Sequence, residues 1–142
     1  MTHVLVVDDA LMVRKWLASA LGRLGCTVAE AFDGVDALQK LDEAPAPALI
    51  LLDIHMPVMN GIELLEQLRA RELTIPVIVL SAEAEPSAIR RAKELGARAW
   101  LVKPLKLDVL EDAVKKALTL GGSDLGSDGG ASSRVPKVTM QS

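Results

Sequence analysis

Short apolar runs in this chain repeatedly end on a polar or charged side chain. Val4-Leu5-Val6-Val7 leads into Asp8-Asp9, Leu49-Ile50-Leu51-Leu52 into Asp53, Val77-Ile78-Val79-Leu80 into Ser81, and Trp100-Leu101-Val102 into Lys103. Segments of helical period lie between them. Val13, Leu17, Leu21 and Leu24 mark one helix face, Val35, Leu38 and Leu41 a second, and Ile62, Leu65 and Leu68 a third. Ile89, Ala92 and Leu95 mark a fourth, and Leu107, Leu110, Val114, Ala117 and Leu118 a fifth. The fourth face is largely alanine, so it should bury less area and hold less firmly than its neighbours, as switching segments do.

Strands are predicted from His3 to Val7, Cys26 to Ala31, Ala48 to Leu52, Pro76 to Leu80 and Arg98 to Val102. Continuous apolar strands alternating with amphipathic helices predict an α/β fold, a parallel sheet covered on both faces. Local signals agree. Asn60 with Glu63, and Asp33 with Asp36, fit helix starts in which a side-chain oxygen caps free amides. Pro86 suits a first helical turn, and Gly25 and Gly96, each after a leucine, suit helix ends that need a left-handed residue.

Composition narrows the field. The 142 residues are enough for one domain, and half of them are apolar. Sixteen basic residues stand against 19 acidic ones, a net charge of −3, which disfavours a nucleic-acid surface. The single cysteine, Cys26, cannot form an internal disulfide and reads as a small buried hydrophobe. The first apolar run is too short for a leader or a membrane span, so a cytoplasmic protein is expected. From Gly121 to Ser142 the chain turns to Gly, Ser and Asp without periodicity, which predicts a flexible tail after a domain spanning residues 1–120.

If the strands run parallel, Asp8, Asp9, Asp53, Ser81 and Lys103 meet at one edge of the sheet. Two unit charges about 5 Å apart repel by roughly 3 kcal/mol at an effective dielectric near 20, so three close carboxylates need a cation. Lys103 supplies one charge and leaves the site negative. An all-oxygen set with room for water suits Mg2+ better than a softer metal.

These motifs together resemble the receiver domain of bacterial two-component response regulators, the single-domain chemotaxis type in particular. The resemblance runs from Thr2 to about Leu120 and rests on Asp8-Asp9, Asp53 in Leu-Leu-Asp-Ile-His-Met-Pro, Asn60-Gly61, Ser81-Ala82 and Lys103-Pro104. It implies a doubly wound, flavodoxin-like five-stranded parallel sheet of order 2-1-3-4-5. It also implies that Asp53 accepts a phosphoryl group from a histidine kinase or phosphotransfer protein, with Lys103 and Ser81 assisting. Mg2+ would be held by Asp9, Asp53 and the backbone carbonyl of His55, with Asp8 acting through water. Ser81 would draw the following loop inward, an aromatic at position 100 would follow, and Glu83 would shape water access. Trp100 replaces the usual tyrosine or phenylalanine there. The Lys103-Pro104 bond is expected to be cis, aiming the ammonium at the pocket.

The resemblance further implies a switch that turns over no metabolite. It would act through a partner protein at the face of the fourth helix, fifth strand and fifth helix, as a monomer or a phosphorylation-dependent dimer. Two other classes fit less well. An aspartate-nucleophile phosphatase usually has a second acid two residues after the nucleophile, where this chain has His55. A flavodoxin-type FMN module needs a first loop rich in hydroxyl and glycine, where this chain has Asp8-Asp9-Ala10-Leu11-Met12.

Overall fold

Strands and helices alternate along the chain in the computed structural model, which describes residues 2–43 and 45–120. The order is β1 (Thr2–Val7), α1 (Leu11–Arg23), β2 (Cys26–Ala31), α2 (Gly34–Glu43), β3 (Leu49–Asp53), α3 (Gly61–Ala70), β4 (Val77–Ser81), α4 (Pro86–Glu94), β5 (Ala97–Val102) and α5 (Leu107–Leu120). The expected tail, Gly121 to Ser142, lies outside the described residues.

All strand pairs are parallel, and the sheet order is β2-β1-β3-β4-β5, the order that the resemblance implied. β3 and β4 are buried throughout, which explains apolar runs with no alternating polar side. Helices α1 and α5 pack together, as do α2, α3 and α4 in sequence, so the sheet is covered on both faces. The core is aliphatic around one large side chain, Trp100.

The helix boundaries follow their end signals. Asn60 and Glu63 form a reciprocal capping box on α3. On α2 the Asp36 N–H donates to Asp33 Oδ1 at 2.8 Å, while Asp36 Oδ2 accepts at 3.1 Å from the N–H of Phe32, one residue before Asp33. Gly25 (φ 85) and Gly96 (φ 102) take the left-handed conformation after α1 and α4. The Glu85 carboxylate caps α4 by accepting the Ala88 N–H at 2.7 Å. Of the α4 face only Ile89 and Ala92 are buried, and its far end is tied to α3 instead. There Arg69 donates to the Glu94 carbonyl at 2.6 Å and Arg91 pairs with Glu66 at 3.2 Å.

β1 and β5 start one residue earlier than predicted, at Thr2 and Ala97, and three further expectations shift. β3 and β4 start and end one residue later than predicted, so Ala48 and Pro76 fall outside while Asp53 and Ser81 close their strands. Val35 does not join the α2 face and is 48% exposed. The face of α2 turned inward is that of Gly34 and Ala37 instead, and Gly34 packs closely on Met59, where an added Cβ would lie 2.7 Å from Cγ. On α3 the buried stripe is wider than predicted and includes Leu64.

The register places the functional ends. Val7 lies opposite Leu52, and Asp53 opposite Leu80, so Asp8 and Asp53 continue the same row. Between β4 and β5 the register steps by one residue: Val77 pairs with Ala97, but Ile78 pairs with Ala99. Because side chains alternate, that step puts Trp100, opposite Val79, on the face of Ser81. Lys103, one residue past Val102 and its partner Ser81, returns to the face of Asp53.

One loop stores strain. In the β3–α3 connection the Met59 N–H donates to the Pro57 carbonyl at 2.7 Å, closing a three-residue turn around Val58 at φ 69. A β-branched residue is poorly suited to positive φ, and Val58 is 81% exposed, with little packing to compensate. Val58→Gly is expected to raise stability by about 1 kcal/mol, or about 3 °C in melting temperature. Thermal unfolding by circular dichroism checks this, and an unchanged or lower midpoint would show that Val58 carries no strain.

Candidate functional site

β1, β3 and β5 deliver their C-terminal residues to one point. Carboxylate oxygens of Asp8, Asp9 and Asp53 lie within 4.8 Å of one another. Asp8 is fully buried and Asp53 is 4% exposed, while Asp9 stands at the mouth. Lys103 Nζ bridges the two buried acids, donating to Asp8 Oδ2 at 3.1 Å and to Asp53 Oδ1 at 3.3 Å. The Lys103–Pro104 peptide is cis.

Asp8 is held on every side. Its N–H donates to the Ala31 carbonyl at 3.1 Å, its Oδ1 accepts the Ala10 N–H at 2.8 Å, and its carbonyl accepts Arg14 Nη1 at 2.7 Å. α1 itself has no side-chain cap, because Asp8 closes the turn before it instead. Asp53 is held by the sheet: it ends β3, and the next amide, Ile54 N–H, donates to the Leu80 carbonyl at 3.1 Å.

Gly61 then brings the start of α3 against that strand end. A Cβ there would lie 2.6 Å from the Asp53 carbonyl oxygen and 2.9 Å from Ile54 Cα. Only glycine permits the approach. The Gly61 N–H also donates to the Ile54 carbonyl at 2.9 Å.

Ser81 and Trp100 lie on the adjoining wall. Ser81 is buried, and its Oγ accepts the Glu83 N–H at 3.1 Å, while its carbonyl accepts the Lys103 N–H at 2.7 Å. Trp100 points inward, 1% exposed, and its indole Nε1 donates to the Glu83 carbonyl at 3.0 Å. The two ends of Glu83 are thus tied to Ser81 and Trp100. His55 is exposed in the loop after β3, and its imidazole is not among the converging groups.

The electrostatics follow from burial. Desolvation pushes the Asp53 carboxyl above its ordinary value, and the Asp8 charge adds to this against the opposing pull of Lys103. Burial disfavours the Lys103 ammonium as well, but the Asp53 and Asp8 carboxylates outweigh it and hold its pKa above the ordinary lysine value. Three carboxylates and one ammonium leave a deficit of positive charge, with oxygen donors aimed at a common point. Such a set fits a hard divalent cation.

Comparison with known proteins accords with this geometry. The family model described as the response regulator receiver domain matches residues 4–115. The chain belongs to the response regulator receiver family. This receiver domain is 37% identical over 117 residues to sporulation initiation phosphotransferase F of Bacillus subtilis (strain 168), covering 82% of this chain and 94% of that protein. It is 36% identical over 118 residues to chemotaxis protein CheY of Listeria monocytogenes, covering 82% of this chain and 98% of that protein. Among solved structures, Vibrio cholerae chemotaxis protein CheY4 aligns with a TM-score of 0.78 and 33% identity, over 83% of this chain and 99% of that one. Among the described residues no helix is long and apolar enough to cross a membrane.

Residues not anticipated from the sequence also shape the receiver site. Arg14 on the Asp8 carbonyl had no spacing signal, because it acts on a backbone group that only the fold brings near, and Glu83, named from the resemblance for water access, has a backbone link between Ser81 and Trp100 that was not foreseen.

Gly61→Ala is expected to destabilise the receiver by about 2 kcal/mol, since backbone rather than a flexible side chain must yield; urea unfolding measures it, and a neutral result would refute the close approach. A raised folded-state pKa means that native Asp53 binds its proton more tightly than the unfolded chain does. The stability from that proton is therefore greatest at low pH and is lost as pH rises through the raised value. Asp53→Asn should then melt higher than the parent at pH 7 in EDTA, with the gap closing on acidification toward pH 4. Calorimetry across pH decides it, and an Asn variant that is less stable at neutral pH would contradict the assigned cause.

Proposed function

We propose that this receiver is a Mg2+-dependent phosphoacceptor switch whose acceptor is Asp53. The observation that carries the reading is the convergence of Asp8, Asp9 and Asp53 within 4.8 Å, with Lys103 bridging the buried pair. Asp9, Asp53 and the His55 carbonyl would hold the ion, and Asp8 would reach it through water. When bound, the ion neutralises charge on the acceptor and on the incoming phosphoryl oxygens.

The residues of this chain do the rest. An oxygen of the ionised Asp53 carboxylate attacks phosphorus; the bond to the donor's imidazole nitrogen breaks, and that nitrogen keeps the electron pair. Lys103 Nζ, already 3.3 Å from Asp53 Oδ1, stands where an ammonium offsets negative charge accumulating on the transferred group. Ser81 Oγ accepts the Glu83 N–H, so its own hydrogen is available to a new phosphoryl oxygen.

A histidine kinase or phosphotransfer protein is the donor that this reading calls for. Leu11, Met12, Phe32 and Val58 are large, exposed apolar side chains that follow β1, β2 and β3, at the edge of the sheet where Asp53 lies. A protein donor would meet apolar surface beside the acceptor. The output follows from Glu83: motion of Ser81 toward a phosphoryl group pulls on that residue, whose carbonyl holds the Trp100 indole. The change would reach a target protein at the face of α4, β5 and α5.

The test is incubation with acetyl phosphate and mass mapping. One phosphoryl group is expected at Asp53 with Mg2+ present, none after chelation with EDTA, and none in Asp53→Asn. In a Trp16→Phe background, where Trp100 is the one remaining tryptophan, emission should shift on phosphorylation. An intact, folded protein that never labels would overturn the reading. Labelling with unchanged emission would remove Trp100 from the switch.

A further inference from the structure

Asp9 makes no side-chain hydrogen bond or ion pair among the described residues, unlike Asp8 and Asp53. Its carboxylate nevertheless lies with theirs. What aims it is therefore the backbone, above all the peptide that joins Asp8 to Asp9. The carbonyl of that peptide is the one that Arg14 Nη1 engages at 2.7 Å.

Arg14 is itself fixed. It sits in the first turn of α1 with its side chain 14% exposed, and its Nε donates to Glu30 Oε1 at 3.1 Å. Glu30 lies on the edge strand β2, opposite Val6 of β1. Its second oxygen takes Lys15 Nζ at 3.0 Å, so the carboxylate is gripped from two positions on α1. The guanidinium uses one edge for a carboxylate and the other for a carbonyl, a fork that an ammonium cannot reproduce.

We infer that Arg14 is a positioning residue for the divalent cation site: it sets the plane of the Asp8–Asp9 peptide, and Glu30 keeps it there. The inference rests on the Mg2+ reading above. It assigns Glu30 a second effect. Without Glu30 the guanidinium has a charge seeking a partner, and Asp9, the residue that follows the carbonyl it holds, carries an exposed carboxylate with no ion pair among the described residues. Arg14 would then compete with the ion for its ligand. The Glu30–Arg14 pair thus keeps a strong cation beside an acidic pocket but out of it.

The experiment is calorimetric titration of the full chain with MgCl2, comparing the parent with Arg14→Ala, Arg14→Lys and Glu30→Gln at a temperature where circular dichroism shows each folded. Arg14→Ala should raise the Kd for Mg2+ about tenfold, within the range seen when an outer partner of a metal ligand is lost. Arg14→Lys should restore part of that loss, because an ammonium still reaches the carbonyl, and Glu30→Gln should fall between. A role confined to packing α1 would lower the melting temperature with Kd unmoved, and that result overturns the inference. If Arg14→Ala does not fold, the other two variants carry the test, and parental Kd in both overturns it. A parent that binds no Mg2+ overturns the cation reading and this inference together; a parent that binds, with variants that match it, overturns this inference alone.

Discussion

Carboxylates gathered within 4.8 Å of one another at the end of a buried sheet are an electrostatic cost, and much of the structure around them answers it. Close like charges oppose folding, most strongly between the buried pair Asp8 and Asp53 and less for exposed Asp9, where solvent screens them. Lys103 relieves part of this by bridging Asp8 and Asp53, yet burial still keeps the Asp53 proton affinity high. A pocket in this condition gains stability from whatever positive charge enters it. The same imbalance of charge suits the pocket to a hard divalent ion.

Rigid support is the second half of that argument. Ionised groups that repel stay close only if their backbones cannot move apart. β3 is buried along its whole length, Gly61 lets α3 press against the Asp53 carbonyl, and four hydrogen bonds from three different segments hold Asp8. The wall that carries Ser81 is built differently. Its loop is fastened through Glu83 to a serine and an indole, and α4 beyond it buries only Ile89 and Ala92. A firmly held carboxylate cluster thus adjoins a helix with few apolar anchors at its near end and ionic ties at its far end.

Trp100 ties the core of this receiver to the loop after β4. An indole donates a hydrogen bond that phenylalanine lacks, and here it spends that donor on the Glu83 carbonyl. The ring is already inside the core, 1% exposed, and its hydrogen-bonded link to Ser81 runs through one loop residue, Glu83.

Much of the fold and the acidic pocket was legible in the sequence, because hydrophobic period, end signals and strand-terminal polar residues are local properties. Apolar runs closed by Asp8-Asp9, Asp53, Ser81 and Lys103 are enough to name a parallel sheet and its functional edge, since parallel strands all finish on the same side. Asn60 with Glu63 and the glycines at 25 and 96 likewise mark helix ends by chemistry confined to a few residues. What the sequence could not decide involves register and backbone groups. The one-residue step between β4 and β5 sets the face of Trp100, α2 turns Gly34 rather than Val35 inward, and Arg14 and Glu30 meet only because β1 and β2 lie side by side. Such features depend on distances between segments far apart in the chain, and a carbonyl is the same in every residue, so no side-chain pattern can announce which one will be held.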